Sequence, residues 1–286
     1  MRKMAVFTNQ ATLSYNGITV NSNVVTGNIV EVLSVSKTAV PQSYALDDVV
    51  TYIVSIINSG TAPVTGVTVT DNLGAYAFGT VIRTPLDYVT DSVVYYQNGV
   101  LQAAPTVADN QPLTVTGITI PANGNTTLIY QARVNEFAPP GAEGTITNGV
   151  SVTASELINP VTAEETITTL DEPVLTITKG LSPVNVTENS ALTYTFTVQN
   201  FGNTEAAATD SLVIRDTFDP ILSDIAVTVN GATLPVGDYT YNEATGEFET
   251  VIGSVTVPAA TFVQDPTSGA WTVVPGTTVV TVTGTV

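Results

Sequence analysis

Val50-Thr-Tyr-Ile-Val-Ser-Ile-Ile-Asn58, followed two residues later by Gly60, reads as a β-strand running into a turn. It is rich in β-branched and aromatic residues, which lose rotamer freedom in a helix and pack well on a pleated sheet. The chain carries it twice. Leu192-Thr-Tyr-Thr-Phe-Thr-Val-Gln-Asn200 repeats the pattern, and Gly202 stands where Gly60 does.

The match extends outward on both sides. Glu31-Val-Leu-Ser-Val-Ser-Lys37 corresponds to Pro173-Val-Leu-Thr-Ile-Thr-Lys179, and Val67-Thr-Val-Thr-Asp71 to Leu212-Val-Ile-Arg-Asp216. Asn98-Gly99 and Asn230-Gly231 are matching hairpin signals, since Asn-Gly tolerates the positive φ of a tight turn. Ile118-Thr-Ile-Pro121 corresponds to Val255-Thr-Val-Pro258. Thr126–Val134 corresponds to Thr278–Val286, after an insertion around Asp265–Trp271. From Lys37 to Lys179 the period is 142 residues. A self-similarity of that length marks tandem domains.

Val and Thr dominate the 286 residues, and no segment sustains a 3.6-residue apolar period. The fold class expected is all-β: two tandem immunoglobulin-like β-sandwiches plus an N-terminal donor strand. In the first copy strands are expected near Leu33–Lys37, Val49–Asn58, Val67–Asp71, Val93–Gln97, Leu113–Ile120, Thr126–Val134 and Thr145–Thr153.

A net charge of −18 with 7 basic residues repels phosphate backbones and anionic lipid, so neither nucleic acid nor membrane is expected as a partner. With no Cys and no His, thiolate and imidazole metal sites and the triads built on them are excluded, and no metal or cofactor is expected. No apolar run approaches the ~20 residues of a membrane span. Arg2 and Lys3 resemble a signal n-region without an apolar stretch behind it. The reading expected is either a leader that has been removed or export by another route.

The two copies differ at their ends. The first continues past Val134 to Ile146-Thr-Asn-Gly-Val-Ser-Val-Thr153, which closes the domain. The second reaches only Val286, so its last strand is expected to be missing. A close relative of that strand stands at Phe7-Thr-Asn-Gln-Ala-Thr-Leu-Ser-Tyr15. The expected organisation is residues 1–30 as a donor-strand arm and linker, 31–154 as domain 1, 155–171 as a linker, and 172–286 as domain 2 lacking its last strand. Leu157–Ala163 and Ile18–Val24 read as similar polar connectors. Counting from Lys179 through Val286 to Lys37 of another molecule gives nearly the internal period, so a head-to-tail stack would continue the repeat. In donor-strand complementation one chain's strand completes another's sheet. Two alternatives stand beside it: a disordered terminal arm, and an arm folded onto its own second domain.

Lysine occurs at positions 3, 37 and 179 only. Strand alternation puts Lys37 on the face of Leu33 and Val35, and Lys179 on the face of Leu175 and Ile177. Asp71 likewise shares a face with Val67 and Val69, and Asp216 with Leu212 and Ile214. Asn148 goes with Ile146, Val150 and Val152. Asn9 goes with Phe7, Ala11, Leu13 and Tyr15, the donor-strand face. Each domain is therefore offered one inward Lys, Asp and Asn. Two outcomes stay open. One is a buried ion pair with Asn as its hydrogen-bond partner. The other is an isopeptide bond, in which a lysine neutralised by burial attacks the Asn carbonyl while a protonated Asp polarises it and shuttles protons. The intramolecular candidate is Lys37, Asn148 and Asp71. The intermolecular one is Lys179 and Asp216 with Asn9 of a neighbour. Asn148-Gly149 could alternatively be a hairpin turn.

These motifs together — Lys ending the first strand, Thr-Tyr into an Asn-x-Gly turn, Val-x-Val-x-Asp, Thr-Asn opening the last strand — resemble the bacterial "conserved repeat" immunoglobulin-like domain of unknown function. That domain occurs in tandem on Gram-positive surface proteins. The resemblance covers both repeats. It implies positions for Lys37, Asp71 and Asn148 similar to those of isopeptide-bonded pilin and adhesin domains, and for Lys179 and Asp216 without the Asn. Two copies in a small acidic chain are also similar to major appendage proteins of clostridial spores, which implies a cell- or spore-surface location and release by mother-cell lysis. The function expected is a structural subunit of an extracellular filament or spore appendage, a homopolymer held at its base by an anchoring protein. The alternative is a surface adhesin or carbohydrate-binding module, with Trp271 as a sugar platform. An enzyme is not expected, because the scattered Asp and Glu residues form no local acid/base motif.

Overall fold

The computed structural model describes residues 4–109 and 111–286. Arg2 and Lys3 lie outside the described residues. The chain is all-β, with one short 3-10 turn at Ala208–Asp210 among the described residues. No helix is long and apolar enough to cross a membrane. Two compact units emerge. The first holds the segment ending at Gln42, Asp47–Val134 and Thr147–Ile167. The second holds Ser43–Leu46, Asn135–Ile146 and Thr168–Val286.

The first eight strands are β1 (Met4–Asn9), β2 (Thr12–Tyr15), β3 (Ile18–Asn21), β4 (Val25–Val30), β5 (Leu33–Val40), β6 (Ser43–Tyr44), β7 (Val49–Asn58) and β8 (Val64–Asp71). One six-stranded sheet runs Val100–Leu101, Val94–Gln97, Gly124–Val134, β7, β5, with Leu86–Tyr88 also against Gly124–Val134. The other runs Thr106–Ala108, Leu113–Ile120, β8, Thr145–Thr153, Val161–Thr169, β6. Alternate residues of β7 (Val50, Tyr52, Val54, Ile56) and of β8 (Val67, Val69, Asp71) are buried, as a two-sheet sandwich requires. Residues 148 and 149 lie inside a strand, so Asn148-Gly149 is not a turn.

In the second unit Leu175–Ser182, Ala191–Asn200, Gly276–Thr285, Ser223–Val229 and Ala232–Thr233 form a five-stranded sheet. Arg215–Thr217, Glu247–Thr250 and Tyr239–Asn242 form a three-stranded one. Their shared core is built on Tyr194, Phe196, Phe218, Phe248, Val280 and Val282. The repeat holds at the level of single hydrogen bonds. Asn58 Oδ1 accepts the Gly60 N–H at 2.8 Å and Asn200 Oδ1 the Gly202 N–H at 2.9 Å. Each Asn is buried and donates its amide to a carbonyl four residues on, Ala62 or Thr204. The Asp265–Trp271 insertion is the tip of a hairpin joining Thr261–Gln264 to Trp271–Val274, with the Trp271 ring half-buried.

Three expectations change. First, Phe7–Tyr15 is not one strand but two, broken at Gln10–Ala11. There Ser22 takes over: its N–H donates to the Ala11 carbonyl, and its Oγ accepts the Ala11 N–H. Second, the connector Ile18–Val24 is largely strand. β2 pairs β3 and β1 pairs β4, making one long hairpin. Its tip is Asn16-Gly17, with φ of 46° and 79°, the left-handed pair that a tight hairpin turn demands. Third, Val161–Thr169, expected as linker, is a strand of the second sheet, with Ile167 fully buried.

Candidate functional site

Strand β5 carries Lys37 inward at 4 % exposure, β8 carries Asp71 at 3 %, and the Thr145–Thr153 strand carries Asn148 at 0 %. The alternation reading thus brings all three into one core. Lys37 Nζ lies 2.5 Å from Asp71 Oδ2. Its ammonium sits 4.8 Å from the Tyr52 ring centroid and 5.9 Å from that of Tyr130. Such faces attract a cation that has few other partners.

Asp71 and Asn148 are linked by a residue the sequence reading passed over. Tyr130, 4 % exposed, donates its hydroxyl to Asp71 Oδ2 at 2.5 Å and accepts the Asn148 Nδ2–H at 3.2 Å. Asp71 Oδ1 accepts the Leu73 N–H at 3.0 Å, and Asn148 Oδ1 accepts the Gly74 N–H at 3.3 Å. The donor on the Asn148 carbonyl is therefore a backbone N–H of the turn after β8, where the sequence reading expected the Asp71 acid. A continuous path runs Lys37 Nζ, Asp71 Oδ2, Tyr130 Oη, Asn148 Nδ2. The available signal was that Tyr130 shares the inward face of its strand with Leu128 and Ala132.

Burial pushes the Lys37 ammonium down to about 8, against the upward pull of Asp71 and Glu165. Desolvation favours the neutral amine, which is the nucleophilic form. Tyr130 moves the other way, raised first by burial and then by the Asp71 charge, so it keeps its proton.

The second pair is assembled differently. Lys179 ion-pairs with Asp216 Oδ2, but the lysine side chain is 40 % exposed and the aspartate 17 %. The ammonium stands 4.4 Å from the Tyr194 centroid, with Phe218 at 5.6 Å and Phe196 at 5.7 Å. Every residue of its strand, Leu175–Ser182, is exposed, whereas the equivalent β5 alternates buried and exposed. The apolar face makes the contrast plain: Leu175 is 41 % and Leu181 47 % exposed, against 7 % for Leu33 and 3 % for Ala39 at the equivalent positions. Asp71 has strands on both sides, Leu113 opposite on one and Val150 on the other. Asp216 has Phe248 opposite on one side, and among the described residues no strand pairs with the other edge of Arg215–Thr217.

Asn9 faces Val25 across the arm hairpin. Phe7, Asn9, Ala11, Leu13 and Tyr15 are all exposed.

No protein-family model and no curated protein matches the chain. Among solved structures, the Bacillus cereus major pilin subunit BcpA is 12 % identical and covers 94 % of this chain and 73 % of its own, with a TM-score of 0.38. The N-terminal domain of a Streptococcus gordonii adhesin is 17 % identical over 51 % of this chain and 35 % of its own, with a TM-score of 0.37. A collagen-binding domain of a Staphylococcus aureus adhesin is 13 % identical over 47 % of this chain and 96 % of its own, at 0.31. Likeness at this level is too slight to establish shared ancestry or function, and the fold rests on the sheets described above.

Proposed function

We propose that the protein is the structural subunit of an extracellular filament, of the cell-surface or spore-appendage kind, that polymerises head to tail. The N-terminal arm of one subunit completes the second unit of the next. One matched pair of exposures carries this reading. The arm displays Phe7, Leu13 and Tyr15 to solvent, and the Lys179 strand displays Leu175, Ile177 and Leu181. The equivalent strands of the first unit bury those faces against one another's sheets. An exposed apolar face beside an unpaired strand edge favours strand addition.

The Lys37 site supports a covalent lock as well, since Asp71 and Tyr130 connect it to Asn148. The neutral Nζ attacks Cγ of Asn148, forming the Nζ–Cγ amide while the Cγ–Nδ2 bond breaks. One Nζ proton passes to Asp71, Tyr130 gives its proton to Nδ2, and Asp71 restores the tyrosine. Ammonia leaves, and the Gly74 N–H holds the carbonyl oxygen throughout. Oriented groups reach effective molarities high enough to dispense with a separate enzyme. At the junction the Lys179 amine would attack Cγ of the neighbour's Asn9, with Asp216 taking the Nζ proton and passing it directly to the leaving Nδ2, since Val282 stands where Tyr130 does.

Electron microscopy and SDS gels of the purified protein test both parts. Fibres are expected, and monodisperse monomers would overturn the polymer. Asn9→Ala is expected to abolish heat- and SDS-resistant ladders, and ladders that persist would overturn the covalent junction. Intact mass is expected to fall by about 17 Da, one ammonia, per bond formed.

A further inference from the structure

We infer that the donor is the whole β1–β4 hairpin of a second copy of this chain, entering as a preformed two-stranded plug. This rests on the head-to-tail reading above and specifies what crosses the junction. Two strands, Thr145–Thr153 and Val161–Thr169, lie beyond β8 in its sheet. Among the described residues the acceptor side of Arg215–Thr217 has neither.

The arm can be laid on both strands in register, matching at the Thr pair and at Asn. Thr147 and Thr166 join their hydroxyls at 2.8 Å in the first unit, and Thr8 and Thr26 are register partners in the arm. One step toward Asn, Asn148 has its counterpart in Asn9. One step the other way lie Ile146 and Ile167, both buried, whose counterparts are Phe7 and Gly27. Two medium side chains are thus exchanged for one large and none. The arm is built around that exchange: a Cβ on Gly27 would stand 2.3 Å from the Phe7 ring, so the ring lies across the bare backbone of its partner strand. Phe7 is nevertheless half exposed in the single chain. The hairpin is also complete without an acceptor, its tip closed by Asn16-Gly17 and its break bridged by Ser22. A preformed insert loses less conformational entropy on docking than a lone strand that must first be ordered.

The single-strand alternative leaves β3 and β4 outside the acceptor, and two full-length variants separate the cases. Thr8→Cys/Thr26→Cys places the chain's sole cysteines on facing residues, at a spacing an antiparallel pair shares with a disulfide. The oxidised protein is expected to form fibres like the wild type. If it stays monomeric while its reduced form assembles, β1 enters alone and the inference fails. Val25→Lys puts a charge on the inner face of β4, beside Asn9 and so toward Lys179 of the acceptor. It is expected to abolish assembly, and wild-type fibres from it would overturn the inference. Wild-type protein that itself stays monomeric overturns the polymer reading and this inference with it.

Discussion

Tyr130 and Val282 hold the same place in the two repeats: Tyr130 is the register partner of Tyr52, and Val282 that of Tyr194. The first unit therefore has a hydroxyl between its aspartate and its asparagine. The second has a fully buried methyl pair, and stacks Phe218 on Tyr194 at 4.8 Å instead. In the proposed reaction a proton taken up by Asp71 would have a relay through Tyr130 to the leaving nitrogen, and one taken up by Asp216 would have none from that position.

Tyr130→Phe keeps the ring against Tyr52 and removes the hydroxyl, and with it the relay and the hydrogen bonds to Asp71 and Asn148. Positioned proton transfer contributes about 10²–10⁴ in rate. The variant is expected to fold and to form the Lys37–Asn148 bond more slowly by about that factor, read as the time course of ammonia loss by intact mass. Equal rates would remove Tyr130 from the mechanism.

The same difference orders the two reactions. The Lys37–Asn148 bond is expected to form in monomers and to finish first. Bonds to Lys179 should appear only after assembly and lag behind. Peptide mapping of monomer and fibre fractions over time checks the order.

Bond formation should depend on pH through Lys37. Its amine is pushed down to about 8 by burial, so the rate is expected to rise with pH up to about 8 and then level off. In Asn148→Ala, where the lysine cannot react, stability should follow the same group. Its folded value lies below its unfolded one, so the unfolded chain binds the extra proton between them and stability rises with pH above about 8. The gain ends near pH 10, where unfolded tyrosines ionise while buried Tyr44 and Tyr130, both raised, hold their protons. Urea titrations across pH 7–11 would show a maximum, and a monotonic fall would contradict the assignment.

Asp71→Ala is expected to cost about 3–5 kcal/mol in protein that has not yet cross-linked, because it strands a buried ammonium. Arg215→Ala removes a pair of similar geometry, 2.7 Å to Glu249, but both its side chains are exposed. That change is expected to stay within about 1 kcal/mol. Thermal melts of the two variants provide the comparison.

Leu13→Asp alters an arm residue that is 68 % exposed. The monomer's melting temperature is expected to be unchanged while fibres are lost, as read by microscopy and sedimentation.

Much of this architecture is legible in the sequence because β-strands announce their faces. Val49–Asn58, Leu113–Ile120 and Thr145–Thr153 form at the expected bounds, and two-residue alternation alone carries Lys37, Asp71 and Asn148 inward. Alternation says nothing about which inward residues meet. Tyr130 reaches Asp71 across 59 positions of chain, and a phenol on an apolar face reads as core until its hydroxyl finds a partner. The arm's second half was legible in principle, for Asn16-Gly17 carries the same signal as Asn98-Gly99. Its partner strand is masked by the polar run Asn21-Ser-Asn23 and by Gly27, whose empty side chain makes sense only once Phe7 lies over it. In Val161–Thr169 the exposed Glu164 beside half-buried Glu165 hides a strand whose one deeply buried apolar residue is Ile167.

The ring of Phe7 over Gly27 also bears on distance. A lone strand can slide by two residues and still present the same face, so a joint made from one strand has several nearly equivalent lengths. Here the ring over one bare position fixes β1 against β4 inside the arm, so every arm presents the same paired face, and two strands must slide together where a lone strand slides alone. Joints made by such an insert would vary less in length than joints made by one strand, and a filament built from them would hold its axial repeat more closely along its length.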